Sequence, residues 1–120
     1  MEFFASDDIV ALSNPGVVSR QLIWPKGSPD ARATITEVHL EPGASQPRHT
    51  HASSEQIWYA LAGSGTLLLA DGVEQPFAAG DVVRFADGDV HGLRNGAEEF
   101  VYLSVTTPPI DFAGAYRKQG

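Results

Sequence analysis

Gly43-Ala44-Ser45-Gln46-Pro47-Arg48-His49-Thr50-His51, then Ala52-Ser53-Ser54-Glu55-Gln56, then Ile57-Trp58-Tyr59-Ala60-Leu61-Ala62-Gly63, is the stretch whose reading decides the fold. His49 and His51 are two apart. On a strand such residues point to one side, about 6.5 Å apart along the chain, and two imidazoles can tilt inward to share one ion. Glu55 and Gln56 follow, each able to supply an oxygen. The run from Ile57 to Leu61 is rich in aromatic and apolar residues and stops at a glycine, the pattern of a strand bounded by a turn. His91, forty residues beyond His51, follows a glycine turn from which a barrel can bring it across to the pair.

Working outward, Gly and Pro punctuate the chain at Asn14-Pro15-Gly16, Pro25 to Pro29, Pro42-Gly43, Gly63 to Gly65, Asp71-Gly72, Ala79-Gly80, Asp87-Gly88 and Asn95-Gly96. The runs between them predict strands near 17–24, 33–41, 47–51, 55–62, 65–70, 73–78, 81–85, 89–94 and 98–106, an all-β sandwich or barrel. Asp71-Gly72 and Asn95-Gly96 both read as two-residue hairpin turns, because both dipeptides tolerate positive φ. No window sustains the i, i+3, i+4, i+7 spacing of an amphipathic helix. Ile57 to Leu61 and Phe100 to Leu103 are apolar at successive positions, whereas a strand with one wet face alternates. A second layer over the outer face, a partner subunit, is the expectation, and a homodimer follows from it.

Composition narrows the partners. The 120 residues suit one ordinary domain, and 42% hydrophobic with 19% charged residues suits a packed core. Eight Lys and Arg against fifteen Asp and Glu leave a formal charge of −7. Such a surface repels phosphate backbones and anionic lipid, so neither nucleic acid nor membrane is an expected partner. The absence of cysteine excludes disulfides and thiolate ligands. Met1 to Asp8 has no basic start or apolar stretch of a signal peptide, and no apolar run nears the roughly 20 residues that span a bilayer. A cytoplasmic location is expected.

The glycines and histidines together resemble the cupin superfamily. Gly43, five residues, His49-Thr50-His51, four residues, Gln56, six residues and Gly63 is similar to its first motif, Gly-x5-His-x-His-x3/4-Glu-x6-Gly. Gly80, Ala86, Gly88, His91 and Asn95 match its second, with Ala86 where proline is usual. The resemblance implies a double-stranded β-helix, or jelly-roll barrel. It implies one cupin domain over 1–120, with the barrel core at about 33–106 and terminal extensions packed on it or on a partner. It also implies one divalent metal ion per subunit, held by His49, His51, His91 and an oxygen donor.

That donor has two candidates. Counting back from Gly63 gives Gln56; counting on from His51 gives Glu55, the residue type usual in the family. The two point to opposite faces of a regular strand. Gln56 inward takes Trp58 and Ala60 with it and leaves Glu55, Ile57, Tyr59 and Leu61 outside, and Gln56 is the preferred reading. A neutral amide oxygen suits Fe, Mn or Ni better than closed tetrahedral zinc, and leaves the site more positive, favouring an anionic substrate.

Other residues read more plainly. His39 shares a strand face with Ile35 and Glu37 and is expected to be structural. Trp58 and Tyr102 are candidate pocket walls or core. Arg84, a charge within Val82-Val83-Arg84-Phe85, either reaches solvent or meets an anion in the pocket. Asn95 is expected to be a turn residue, and Tyr116 to Gly120 to fray. The functional expectation is a metal-dependent enzyme of dioxygenase, isomerase or lyase type acting on a small polar or anionic molecule. The alternative is a binding or sensing module in which the metal anchors a ligand.

Overall fold

A computed structural model of the chain describes residues 1–116 and the backbone of 118–119. Eleven strands are assigned: β1 Val10–Asn14, β2 Val17–Ile23, β3 Thr34–Leu40, β4 Ser45–His49, β5 Glu55–Ala62, β6 Ser64–Leu68, β7 Glu74–Ala78, β8 Val82–Phe85, β9 His91–Asn95, β10 Phe100–Thr107 and β11 Lys118–Gln119. They form two antiparallel sheets, ordered β11-β1-β2-β3-β10-β5-β8 and β4-β9-β6-β7. No α-helix occurs among the described residues, and none of their helical turns is long and apolar enough to cross a membrane. The all-β, double-stranded β-helix expected from the sequence is the fold observed.

Side-chain parity builds the core between the sheets. Along β3 burial alternates without exception, so Thr34, Thr36, Val38 and Leu40 turn inward while Ile35, Glu37 and His39 turn out. On β5 Gln56, Trp58 and Ala60 are buried, and Tyr59 and Leu61 are exposed, as expected for Gln56 inward. Val38, Leu40, Trp58, Phe77, Leu93, Phe100 and Tyr102 meet in one apolar cluster. The outer face of β5 and β8 stays apolar and open, with Tyr59 opposite Val82.

Three expectations are corrected. Asn95-Gly96 does not close a hairpin, since β9 pairs with β4 and β6 while β10 pairs with β3 and β5. Residues 96–99 carry the chain from one sheet to the other. Asn95, buried, clamps that corner: its Nδ2 lies 3.1, 2.9 and 2.6 Å from the carbonyls of Leu40, Glu41 and Glu98, and its Oδ1 accepts from Gly96 N–H. A dipeptide suited to a hairpin equally suits any sharp corner, and here the side chain decides which.

The first strand, β1, was missed: it pairs with β2 across the Pro15-Gly16 turn and buries Leu12 completely. The chain end is ordered where it is described. Tyr116 packs against the core cluster and β11 pairs with β1. Arg117 and Gly120 lie outside the described residues.

The Asp71-Gly72 turn does join β6 to β7, but through a three-residue loop. Leu69 N–H donates to Val73 C=O, and Asp71 and Gly72 both have positive φ.

Candidate metal centre

The histidine end is built by an irregularity. In the β4–β9 ladder Gln46 faces Leu93, but His49 faces His91, so three residues of β4 span two of β9. The extra residue falls at Pro47–Arg48, where proline has no N–H to give to a ladder, and a bulge costs least there. The bulge presses on Gly92: a Cβ there would stand 2.8 Å from Gln46 O and 2.9 Å from Arg48 N. Only glycine lets β4 approach β9 this closely, and the approach sets His49 and His91 side by side with ring centres 4.2 Å apart.

His51 arrives differently from the sequence expectation. The predicted strand 47–51 is observed as Ser45–His49, and His51 lies in the irregular segment after it. Its carbonyl accepts Gly88 N–H at 2.8 Å, which pins this segment to the turn preceding His91. The His51 ring centre lies 5.1 Å from that of His49 and 5.2 Å from that of His91. One nitrogen from each of the three rings lies within 4.8 Å of the others.

Hydrogen bonding fixes the tautomers. His49 Nδ1 lies 2.8 Å from Pro47 O, and His91 Nδ1 lies 2.9 Å from Asp89 O. A backbone carbonyl only accepts, so each Nδ1 carries the proton and each Nε2 keeps its lone pair. The Nε2 atoms of His51 and His91 are buried without a hydrogen-bond partner. Burying an acceptor without a partner costs free energy, and two such atoms aimed at one point fit a cation that would satisfy both.

Burial pushes the His91 imidazole down to about 4. The Asp89 carbonyl opposes this, and the nearby His49 and His51 add to the lowering. Burial, then His49, also lowers His51. Both rings are therefore neutral at pH 7, the form in which imidazole binds a metal.

The remaining predicted residues divide by face. Gln56 lines the cavity beside His49 and His51. Its Oε1 accepts from Trp58 Nε1 at 3.1 Å and its Nε2 donates to Thr106 Oγ1 at 2.9 Å. One lone pair of Oε1 is left over. Glu55 points to the opposite face and pairs with Arg84, whose side chain is 62% exposed. Arg84 is thus not a pocket residue: strand parity sends it outward to solvent and a carboxylate. His39 is bound to Glu37 at 2.8 Å on the outer face, the structural role expected of it.

Trp58 and Tyr102, with ring centres 4.5 Å apart, do line the cavity. The Tyr102 hydroxyl donates to Gln46 Oε1 at 2.7 Å, and burial holds its pKa well above the usual phenol range.

The cavity reaching inward from the histidines is about 420 Å3. Sequence reasoning missed one of its walls. After β10 the chain returns over the opening, and the short turn Phe112–Ala115 sets Phe112 5.9 Å from the His51 ring. Tyr116 and Ser19 also line it, and burial raises the Tyr116 phenol above its ordinary range. Only the aromatic residues so close to the chain end hinted at this cover.

Comparison with known proteins agrees with this geometry. A family model described as the cupin domain matches residues 36–106. Auxin-binding protein 1 of Arabidopsis thaliana is 34% identical over 79 residues, covering 58% of this chain and 39% of that protein, so the chain spans well under half of its relative's length. The polyketide cyclase RemF from Streptomyces resistomycificus superposes with a TM-score of 0.76 at 26% identity, covering 90% of this chain and 79% of that one. A predicted oxalate decarboxylase from Thermotoga maritima gives 0.76 at 24% identity, covering 89% and 99%.

Proposed function

The chain belongs to the cupin family, and from that premise we propose that it is an enzyme dependent on one divalent ion per chain, acting on a small molecule held in the cavity. The observation that carries this is the pair of buried, unpartnered Nε2 atoms of His51 and His91, grouped with a nitrogen of His49 at one end of a cavity that His49 and His51 line. The proposed ligands are His49, His51 and His91, with Gln56 as the oxygen donor through its remaining lone pair. Glu55 is on the wrong face. Three imidazoles with one neutral oxygen suit Fe, Mn or Ni over Zn.

When bound, such an ion supplies Lewis acidity to an oxygen of the substrate, the chemistry on which oxygenases, isomerases and lyases draw. The chain's own residues do the rest. The carbonyls of Pro47 and Asp89 hold the His49 and His91 rings with Nε2 facing inward. Gln56 fixes the Trp58 ring, and Gln46 fixes the Tyr102 hydroxyl. Phe112 shields His51 from water on the side where the chain end crosses.

The relatives include a polyketide cyclase, a predicted oxalate decarboxylase and a protein named for binding auxin. That binding relative favours the second reading, a module that holds a ligand without converting it. Elemental analysis of protein purified without an affinity tag, followed by oxygen uptake and substrate loss across small ring compounds, carboxylates and sugars, separates the two. One ion per chain and turnover that vanishes in His91→Ala are expected. Tight binding without turnover selects the binding module, and a metal-free protein that stays metal-free on reloading refutes both.

The open apolar face of Tyr59, Leu61 and Val82 supports a homodimer across β5 and β8. Light scattering at micromolar concentration is expected to give twice the 12.8 kDa chain mass; a uniform monomer contradicts it.

A further inference from the structure

We infer that the cavity takes an uncharged, flat, ring-bearing molecule, which presents one hydroxyl or carbonyl oxygen to the histidines and a second polar group to the hydroxyls of Ser19 and Tyr116. The oxygen at the histidine end rests on the metal reading proposed above; the absence of charge elsewhere does not.

Among the described residues, none that lines the cavity is Lys, Arg, Asp or Glu. Away from the histidines its polar lining is hydroxyls and amides, and several of these are already committed. The Gln56 amide bonds Trp58 and Thr106, its remaining lone pair being the one proposed for the ion, and the Tyr102 hydroxyl bonds Gln46. A carboxylate or phosphate carried into this space away from the histidine end would lose its water and find no cationic side chain among the described lining residues to replace it.

The walls instead favour flat carbon. Trp58, Tyr102 and Phe112 all line the cavity, the first two with rings tilted by 34° and Phe112 beside the His51 ring. Aromatic walls of this kind pack best against another ring. The volume of about 420 Å3 falls in the lower part of the range of small-molecule pockets, roughly 300–1,000 Å3.

Ser19 and Tyr116 supply hydroxyls for recognition. Ser19 Oγ accepts from Gln21 Nε2 at 2.9 Å, which holds it in place, and Tyr116 lines the same cavity. The formal charge of −7 acts in the same sense at long range, repelling anions before they reach the opening. The sequence expectation of an anionic substrate rests on the ion's charge alone; the lining outweighs it everywhere except at the ion.

The test is calorimetric binding at pH 7 of 2-naphthol, 2,6-dihydroxynaphthalene, 6-hydroxynaphthalene-2-sulfonate and glucose 6-phosphate to the full chain, metal-free and manganese-loaded. The sulfonate is a poor metal ligand, so it reports the lining and not the ion. The naphthols are expected to bind at least tenfold more tightly than the sulfonate in both forms, and glucose 6-phosphate not to bind. In Tyr116→Phe, 2,6-dihydroxynaphthalene is expected to lose its advantage over 2-naphthol, while 2-naphthol itself is unchanged.

Equal or tighter binding of the sulfonate or the sugar phosphate overturns the proposal, as does failure of the naphthols to bind. Naphthol preference in protein that takes up no manganese upholds it while refuting the metal reading. Manganese uptake with preference for the charged probes does the reverse.

Discussion

The two strands that flank the cavity mouth are built on opposite plans. β5 is regular from Glu55 to Ala60, where burial alternates and Gln56, Trp58 and Ala60 face the core by parity; its register slips only past that stretch, between Ala60 and Ala62. β4 is irregular, mostly exposed, and bulged against Gly92, yet it carries the histidine that faces His91. The regular strand supplies wall; the bulged one supplies ligands. A pleat of period two sets alternate side chains in parallel, whereas three rings converging on one point need the backbone to bend. The β10–β5 and β2–β3 ladders slip as well, but the slip between β4 and β9 is the one that brings His49 opposite His91.

That contrast is sharpened first at the ligands. His91→Ala is expected to lower metal affinity more than roughly hundredfold, beyond what loss of a supporting residue costs, as read by competition with a chelator. Gln56→Ala is expected to cost less, about tenfold, and Glu55→Ala nothing measurable. An effect of Glu55→Ala equal to that of His91→Ala would reverse the assignment of faces.

Next is the bulge itself. Gly92→Val places methyl carbons against the β4 backbone and is expected to destabilise the protein by about 3 kcal/mol in urea unfolding and to abolish metal binding. A stable, metal-binding Gly92→Val would show that the close approach of β4 is dispensable.

The metal-free protein provides a pH test of comparable size. His91 titrates near 4 when folded and near 6.5 when unfolded. As pH falls through that window the unfolded chain takes up its proton first. Stability is whole above about 6.5 and declines toward pH 4, by at most about 3 kcal/mol. His91→Gln is expected to flatten that slope; an unchanged slope would assign it elsewhere.

Asn95→Ala, which removes the clamp between the sheets, is expected to cost about 2 kcal/mol by leaving buried carbonyls unpaired, with metal affinity little changed. Arg84→Ala comes last, at under about 1 kcal/mol, because its partner Glu55 shares an exposed outer face.

What was legible in the sequence follows the same division. Counting back from Gly63 in the cupin-like spacing placed Gln56 inside, and strand parity carried Trp58 and Ala60 with it, although Ile57 to Leu61 does not itself alternate. The His49, His51 and His91 grouping was legible because their spacing among glycines matches the cupin pattern. The bulge was not, since Pro47 and Gly92 state only what each residue permits and not which strand approaches which. Asn95-Gly96 misled for a related reason: positive-φ tolerance marks a sharp bend without saying whether it joins strands of one sheet or two. The cover formed by Phe112 and Tyr116 depends on contacts across nearly the whole chain, and no local pattern announces those. Arg84 was undecided until its strand partner was known.

The central claim is that three imidazoles from two distant segments close on one cation. Calorimetric titration of metal-free protein with Mn(II), Fe(II) and Ni(II) at pH 7, repeated at pH 5, tests it most directly. One ion per chain, bound more weakly at pH 5 and lost in a His91→Ala variant with unchanged circular dichroism, is the predicted result. No uptake, or uptake of equal strength in that variant, would contradict it.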